Sequence, residues 1–276
     1  MRILILSRKF EIYSTRRLVE EFSHAGHSVF LWDPGWPTEK LRGCFDVLIP
    51  RLGSFHFEEA LESVEMLSSR CGVVVNTLEA YRKARNKWSS YIAFLEGKIP
   101  TPFSQLVSNG DAVLWSRAFP CIVKELESAK GEGVFLARST DELLQIASRI
   151  SPSSEYLVQE AFPESFGEDV RIFVVGGKII ASMKRKSTKD FRSNLAQGGI
   201  GEFCTITEAE AALALNAASV LGLQIAGVDI LRTHKGSLIL EANPCPGLEG
   251  IEKYTSVNVA HAIIKFIEEH HHGHAP

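Results

Sequence analysis

Apolar residues fall in short unbroken runs over the first third of the chain, RILIL from position 2, SVFLW from 28, FDVLIP from 45 and GVVV from 72. Runs of this length bounded by polar breaks predict buried strands. Between the first two, STRRLVEEFSHAGHS carries its apolar positions at helical spacing, with Ser14 or Thr15 as N-cap and Gly26 as the stop. A second helical pattern spans about Phe57 to Ser69. Alternating strand and helix predict a small parallel α/β unit with right-handed crossovers. Such sheets hold ligands at the carboxyl ends of their strands, which nominates Ser7, Arg8 and Arg51, although ordinary loop residues stand there equally often.

One helix is expected from about Leu78 to Glu96, bearing Arg82, Lys83, Arg85 and Lys87. It ends at GKIPTP, whose prolines force extended chain and mark a candidate boundary. PCIVKELESAKGEGVFLA then reads as strand, glycine-containing loop and strand, STDELLQIASRI as a helix capped by Ser139, and EYLVQEAF as a further strand. From about Gly167 the pattern turns antiparallel, with a hairpin through Gly176 and Gly177. A polar stretch, STKDFRSNLAQGGIGEF, separates it from the helix TEAEAALALNAASVLGL, a second hairpin, GVDILRTHKGSLILEAN, and a terminal amphipathic helix. No internal repeat is visible.

Composition narrows this picture little. The 276 residues are 45% hydrophobic and 23% charged, ordinary for a folded protein with a sizeable core. A net charge of -3 gives no general attraction to nucleic acid or membrane, so charge chemistry must come from local clusters. The five cysteines are scattered and form no CxxC pair, which argues against a disulfide framework or structural zinc. MRILILSRKF is too short an apolar run for a signal peptide, and a cytoplasmic location is expected. The four histidines among residues 270–274 read as a flexible terminus.

The second hairpin places Asp229, Glu241 and Asn243 where a core strand would carry Val, Ile or Leu. If His234, Lys235 and Gly236 form a three-residue loop, Thr233 pairs with Ser237 and Asp229 lies opposite Glu241; a two- or four-residue loop sets Asp229 opposite Leu240 instead. Two carboxylates about 4 Å apart repel by roughly 4 kcal/mol at an effective dielectric of about 20. The gathered register therefore calls for a proton or a cation, and acid, acid and amide on rigid strands suit Mg²⁺. The alternative is a solvated hairpin edge whose acids pair with Lys or Arg. Lys178, Lys184, Arg185, Lys186, Lys189 and Arg192 form a charge run that by itself reads as a solvated face. Lys124, however, ends an apolar strand beside ESAKGEG, whose glycines let backbone amides approach phosphate, and Lys87 sits on a cationic helix.

Metal ligands, strand-end lysine and glycine loop together resemble the ATP-grasp superfamily and, within it, the RimK type of glutamate ligase. The resemblance is carried by LSRKFEIYSTRRLVE, IPRLG, VVVNTLEAYRKARNKW, VQEAF, DVRIFVVGGKIIASMKR, FRSNLAQGG, AGVDILR and EANPCPGLEGIE, spread over almost the whole chain. It implies an α+β fold of three domains, a parallel α/β unit at 1–85 and two α+β domains at 86–165 and 166–276 that enclose the nucleotide. It implies phosphate contacts from Lys87 and Lys124, backbone contacts to adenine from Glu160 and Ala161, and further nucleotide contacts from Asp169, Arg192, Ser193 and Asn194. The implied metal ligands are Asp229, Glu241 and Asn243, holding Mg²⁺ or Mn²⁺, two ions in all. Two departures stand out: Ser128 and Ala129 open the glycine loop, and the turn after Asn243 reads Pro244-Cys245, with Cys245 expected to be packed and inert.

The implied reaction joins a carboxylate to an amine at the expense of ATP, through an acyl phosphate. Arg192, Lys124 and Arg185 are the expected catalytic cations, with Arg171 as an alternative to Arg185 for holding a carboxylate. The expected substrates are L-glutamate and an acceptor carboxylate, either the carboxy terminus of a ribosomal protein or peptide, or a small acidic metabolite or coenzyme tail. A nucleotide-binding regulator without turnover is the alternative from another class. Direct nucleic-acid or membrane binding is not expected, and a homo-oligomer, a tetramer in particular, suits the resemblance.

Overall fold

The computed structural model describes residues 1–53, 56–108, 115–126, 128, 133–150 and 155–271. Its amino-terminal sheet is wholly parallel in the order β2-β1-β3-β4, where β1 is Arg2–Leu6, β2 Ser28–Trp32, β3 Phe45–Pro50 and β4 Cys71–Val74. Helices α1 (Tyr13–His24) and α2 (Phe57–Ser68) are the crossovers. Gly26 ends α1 with φ +80°, as a C-terminal glycine should. The start of α1 differs from expectation. Its N-cap is Ile12 without a side-chain bond, and Ser14 and Thr15 lie buried inside the helix. Their hydroxyls serve tertiary contacts instead: Ser14 Oγ accepts from the Leu248 amide at 2.9 Å, and Thr15 Oγ1 meets Ser7 Oγ at 3.2 Å.

The expected single helix after β4 is two, α3 (Leu78–Arg85) and α4 (Lys87–Glu96), broken at Asn86. Asn86 has extended backbone geometry, and its Oδ1 accepts from the amides of Trp88 and Ser89 at 3.0 Å. Asparagine favours such a cap because its side chain replaces the missing helical acceptor. The break sets Lys87 at the first position of α4.

A second sheet has the order β5-β8-β6-β7, from β5 (Ser104–Ser108), β6 (Cys121–Glu125), β7 (Val134–Ala137) and β8 (Glu155–Glu160), all antiparallel. Helix α5 (Thr140–Ala147), capped by Ser139 as expected, covers one face through Leu143 and Ala147. Most of the expected glycine loop, Glu127, Ala129, Lys130, Gly131 and Glu132, lies outside the described residues, as do His272 and His274.

The third sheet runs β11-β10-β9-β12-β13, with β9 Glu168–Val175, β10 Lys178–Lys186, β11 Ile200–Phe203, β12 Ile225–Thr233 and β13 Gly236–Asn243. Gly176 and Gly177 both take positive φ in the β9–β10 turn, where L side chains would be strained. Strand alternation splits the sheet's residues between two cores. Val170, Ile172, Val174, Val228 and Ile230 pack under helix α6 (Glu208–Val220) together with Phe94 of α4. Phe173, Val175 and Met183 face helix α8 (Val259–His271), which also carries Ile3, Ile5, Leu18 and Phe22 of the first unit. Helix α7 (Glu249–Thr255) precedes α8. Among the described residues no helix is long and apolar enough to cross a membrane.

Candidate active site

The polar residues of the third sheet fall on a grid that strand alternation alone creates. Arg171 of β9 lies opposite Asp229 of β12, and Asp229 lies opposite Glu241 of β13. One step along, Asp169 pairs with Arg185 of β10, and one step the other way Gly227 pairs with Asn243. Asp169, Arg171, Arg185, Asp229 and Glu241 therefore share one face. Lys184 and Lys186 point to the other, where they pair with Glu168 and with Glu202 at 2.6 Å. The charge run is thus solvated on one side of β10 and buried on the other.

The hairpin reaches the gathered register by a route that differs from the expected one. Thr233 pairs with Gly236, not Ser237, so the turn has two residues, His234 and Lys235. The register then shifts by one between the Ile230–Ile239 and Asp229–Glu241 pairs, leaving Leu240 as an extra residue in β13. A bulge re-aims the side chains beyond it. Here it returns Asp229 to face Glu241 and turns Leu240 into the cavity described below.

Asp229 is almost wholly buried, at 2% exposure, and both of its oxygens accept from arginine. Arg171 grips it with Nε and with Nη2 at 2.8 Å, while Arg185 Nη2 reaches Oδ2 at 2.7 Å. Arg185 also forks onto Asp169, Nε to Oδ1 at 2.7 Å and Nη2 to Oδ2 at 2.5 Å, and Ser193 donates to the same carboxylate. Burial alone would raise the Asp229 pKa, but the two guanidiniums outweigh it and hold the carboxyl well below its ordinary value. Gly227 makes this packing possible: a Cβ there would fall 2.8 Å from Arg171 Nη1 and 2.8 Å from Pro246 Cβ.

Glu241 stands in contrast. Among the described residues its nearest cation is Arg171 Nη2 at 3.9 Å, and 46% of its side chain is exposed, on the wall of the cavity described below. Burial in the protein envelope and the neighbouring Asp229 push its pKa up, against the pull of Arg171, Lys87 and Lys124. Lys124 is the cation that sheet two presents. Its Nζ donates to Gln159 Oε1 at 2.6 Å, and the buried Gln159 in turn donates to Ser104 Oγ at 2.9 Å. Lys87 donates to the carbonyls of Glu125 at 2.8 Å, Leu126 at 3.2 Å and Ser128 at 2.8 Å. Burial lowers the pKa of both lysines, Lys87 to about 8, and Glu241 opposes the shift in each.

These groups border a cavity of about 860 Å³, open mouth included, between the second and third sheets. Its charged lining includes Lys87, Lys124, Asp229 and Glu241; its apolar lining is made by Ile122, Val134, Phe162, Leu231 and Leu240. Glu160, Ala161, Asp169, Arg192, Ser193 and Asn194 also line it. Asn243 borders the adjoining lobe beside Lys87 and Glu241. Of the expected site residues, Arg185 and its alternative Arg171 do not line the cavity, because their guanidiniums lie behind it on the aspartates. Arg192 lines it with its charge shared by Asp190, through Nε at 3.0 Å and Nη2 at 2.6 Å. Gln159 was not foreseen; its signal was a lone amide in the apolar run EYLVQE.

A hard cation fits the acids present. Among the described residues Glu241 carries a charge with no close donor, Asp229 has accepted three hydrogen bonds and retains acceptor capacity on Oδ1, and Asn243 Oδ1 accepts from the Cys245 amide at 2.8 Å. Cys245 packs, as expected, against the apolar cluster that contains Leu52 and Tyr81.

A sequence model of the RimK-like ATP-grasp domain matches residues 84–267. A "Probable alpha-L-glutamate ligase" of Alcanivorax borkumensis is 37% identical, over 98% of this chain and 95% of its own length. One of Methanococcoides burtonii is 36% identical, over 98% of this chain and 96% of its own. Among solved structures, a RimK domain ATP-grasp protein from Sphaerobacter thermophilus superposes with a TM-score of 0.75 at 21% identity, covering 97% of this chain and 100% of that one. The D-alanine–D-alanine ligase of Bacillus anthracis, solved with ATP, gives 0.75 at 15% identity, covering 98% and 97%. Similarity at these levels, nearly end to end, places the chain in the RimK-like ATP-grasp ligase family.

Proposed function

We propose that the protein adds L-glutamate, through an α-linked amide bond, to the carboxy terminus of a polypeptide acceptor, with ATP as the energy source and a ribosomal protein as the candidate acceptor. The observation that carries this reading is the pairing of an open carboxylate, Glu241, with two buried lysines of lowered pKa on a cavity that the apolar side chains of Ile122, Leu231 and Leu240 line as well. That layout suits a molecule with a flat apolar ring at one end and a multiply charged anion at the other. The named relatives support glutamate as the amino acid joined.

In this reading Ile122, Leu231 and Leu240 sandwich the adenine while the backbone at Glu160 and Ala161 meets its polar edge. Lys124, which gives one donor to Gln159, directs its others at the phosphates, while Lys87, whose donors are held by the Glu125, Leu126 and Ser128 carbonyls, and Arg192 add positive charge. Mg²⁺, held by Glu241, Asp229 and Asn243, would offset phosphate charge when bound. The acceptor carboxylate attacks the terminal phosphate, ADP leaves, and the glutamate amine then displaces phosphate from the acyl phosphate. The side chains supply alignment and charge rather than covalent chemistry. Arg171 and Arg185 act as positioning residues: they fix Asp229 ionised and in one rotamer. The test is ADP release measured with ATP and Mg²⁺. It should require both glutamate and an acceptor, and release that is indifferent to glutamate would overturn the assignment.

A further inference from the structure

The carboxyl edge of the amino-terminal sheet holds features that this chemistry has not used. Ser7, which follows β1, is tied inward to Thr15 and to the Lys9 carbonyl at 2.9 Å. Arg51, which follows β3, donates through Nη2 to the Pro246 carbonyl at 2.9 Å, in the turn directly after Asn243, while its buried Nε has no hydrogen-bond partner among the described residues. Beyond it, at the ends of β1 and β2, Phe10, Trp32 and Trp36 form a cluster. Trp36 is 45% exposed and is held edge-on from two sides, by Phe10 at 5.7 Å and by Trp32 at 5.2 Å.

This cluster is built rather than incidental. Asp33 folds the turn, accepting from the Gly35 amide at 2.7 Å, and its carbonyl accepts from the Trp36 amide at 2.9 Å. Gly35 leaves room for Arg8, whose Nη1 would lie 3.0 Å from a Cβ there. Arg8 is paired with Asp33 and Glu59, so Lys9 and Glu11 are the solvent-facing charges of the first turn, with Arg51 further along. A rigid tryptophan face in water beside a cation is the usual make-up of a recognition surface.

Order along the sheet gives the spacing. β3, β1 and β2 are consecutive neighbours, so about 10 Å separates the ends of β3 and β2 at about 4.8 Å per strand. About three residues of extended chain span that distance. We propose that this edge is the docking track for the acceptor polypeptide: an extended acidic tail whose last residues lie beside Arg51 and whose apolar side chain about three residues upstream packs on the Trp36 face. The proposal rests on the glutamate-ligase reading and makes its acceptor a polypeptide rather than a small metabolite. Each addition returns a terminal carboxylate and leaves the tail one charge more negative, which Arg51 at its end favours; along the track Lys9 offsets the opposing charge of Glu11.

The test uses two synthetic probes, acetyl-Glu-Glu and acetyl-Trp-Ala-Ala-Glu-Glu, each measured twice, for direct binding by calorimetry and as acceptor in ADP release. The longer probe should bind about tenfold more tightly to the wild-type protein, the scale of one aromatic packed on another. Phe10→Ala/Trp36→Ala should erase that gain, raising KM for the long probe while leaving its kcat and both constants of the short probe in place. Lys9→Glu, an exposed change that does not threaten folding, should raise KM for the long probe by a few-fold. Equal binding of the two probes by the wild-type protein, or equal losses for both in the double variant, overturns the docking track. Tighter binding of the long probe without ADP release from either would retain the track and refute the glutamate-ligase reading instead.

Discussion

Asp229 and Glu241 face each other across β12 and β13, yet their surroundings are opposite. Asp229 gives its oxygens to Arg171 and Arg185, whereas among the described residues Glu241 has no cation closer than 3.9 Å and turns nearly half of its side chain toward the cavity. The wall formed by β9, β10 and β12 is satisfied within itself, with two arginines facing two aspartates. The wall formed by β13, α4 and β6 holds Glu241, Lys87 and Lys124, all with shifted pKa values and all facing the space a ligand would fill. A closed ionic network costs desolvation but fixes geometry, and open charges are where binding energy is gained. One wall therefore positions the site and the other is set to react.

Breaking the closed wall should have the largest effect on the protein itself. Arg185→Met leaves two buried carboxylates short of their shared partner and should lower unfolding free energy by roughly 3–5 kcal/mol, read by chemical denaturation. Breaking the open wall should spare the fold and stop the chemistry. Glu241→Gln should leave the denaturation midpoint unchanged while substrate-dependent ADP release falls by about 10²–10³-fold. Unchanged turnover would remove Glu241 from the metal site.

A smaller perturbation tests whether the closed wall positions the open one. Gly227→Ala places a methyl against Arg171 and Pro246 and should cost about 1–3 kcal/mol of stability together with a loss in kcat, measured by denaturation and ADP release. The smallest effect concerns pH. The Lys87 ammonium, with its pKa lowered to about 8, is present below that pH and is lost as pH rises through it. KM for ATP should therefore climb through that range in the wild-type protein, while Lys87→Arg, charged throughout, should show a flat profile there.

The shared face of these residues was legible in strand alternation; the contrast between them was not. A period of two puts Asp169, Arg171, Arg185, Asp229 and Glu241 on one face once the strands are aligned, and it sends Lys184 and Lys186 away. The hairpin shows the limit. The facing acids were anticipated from a three-residue turn, but the chain uses a two-residue turn and a bulge at Leu240, and a bulge depends on what the side chain meets across the cavity rather than on local pattern. That Asp229 would be the paired acid and Glu241 the open one could not be read from either stretch, because the arginines that decide it come from β9 and β10. The break at Asn86 was missed although asparagine is a strong cap, since the apolar spacing from Leu78 to Glu96 continues through it. Ser14 and Thr15 looked like caps for the same local reason, and tertiary partners claimed their hydroxyls.

The product of the reaction is the most direct test of the glutamate-ligase reading. Incubated with ATP, Mg²⁺, L-glutamate and a peptide ending in glutamate, the protein should convert the peptide into a ladder of species separated by single glutamyl residues in mass spectrometry, with ADP formed in step and neither seen with Glu241→Gln. ADP formation at the same rate without glutamate, or an unmodified peptide beside full ADP release, would contradict it.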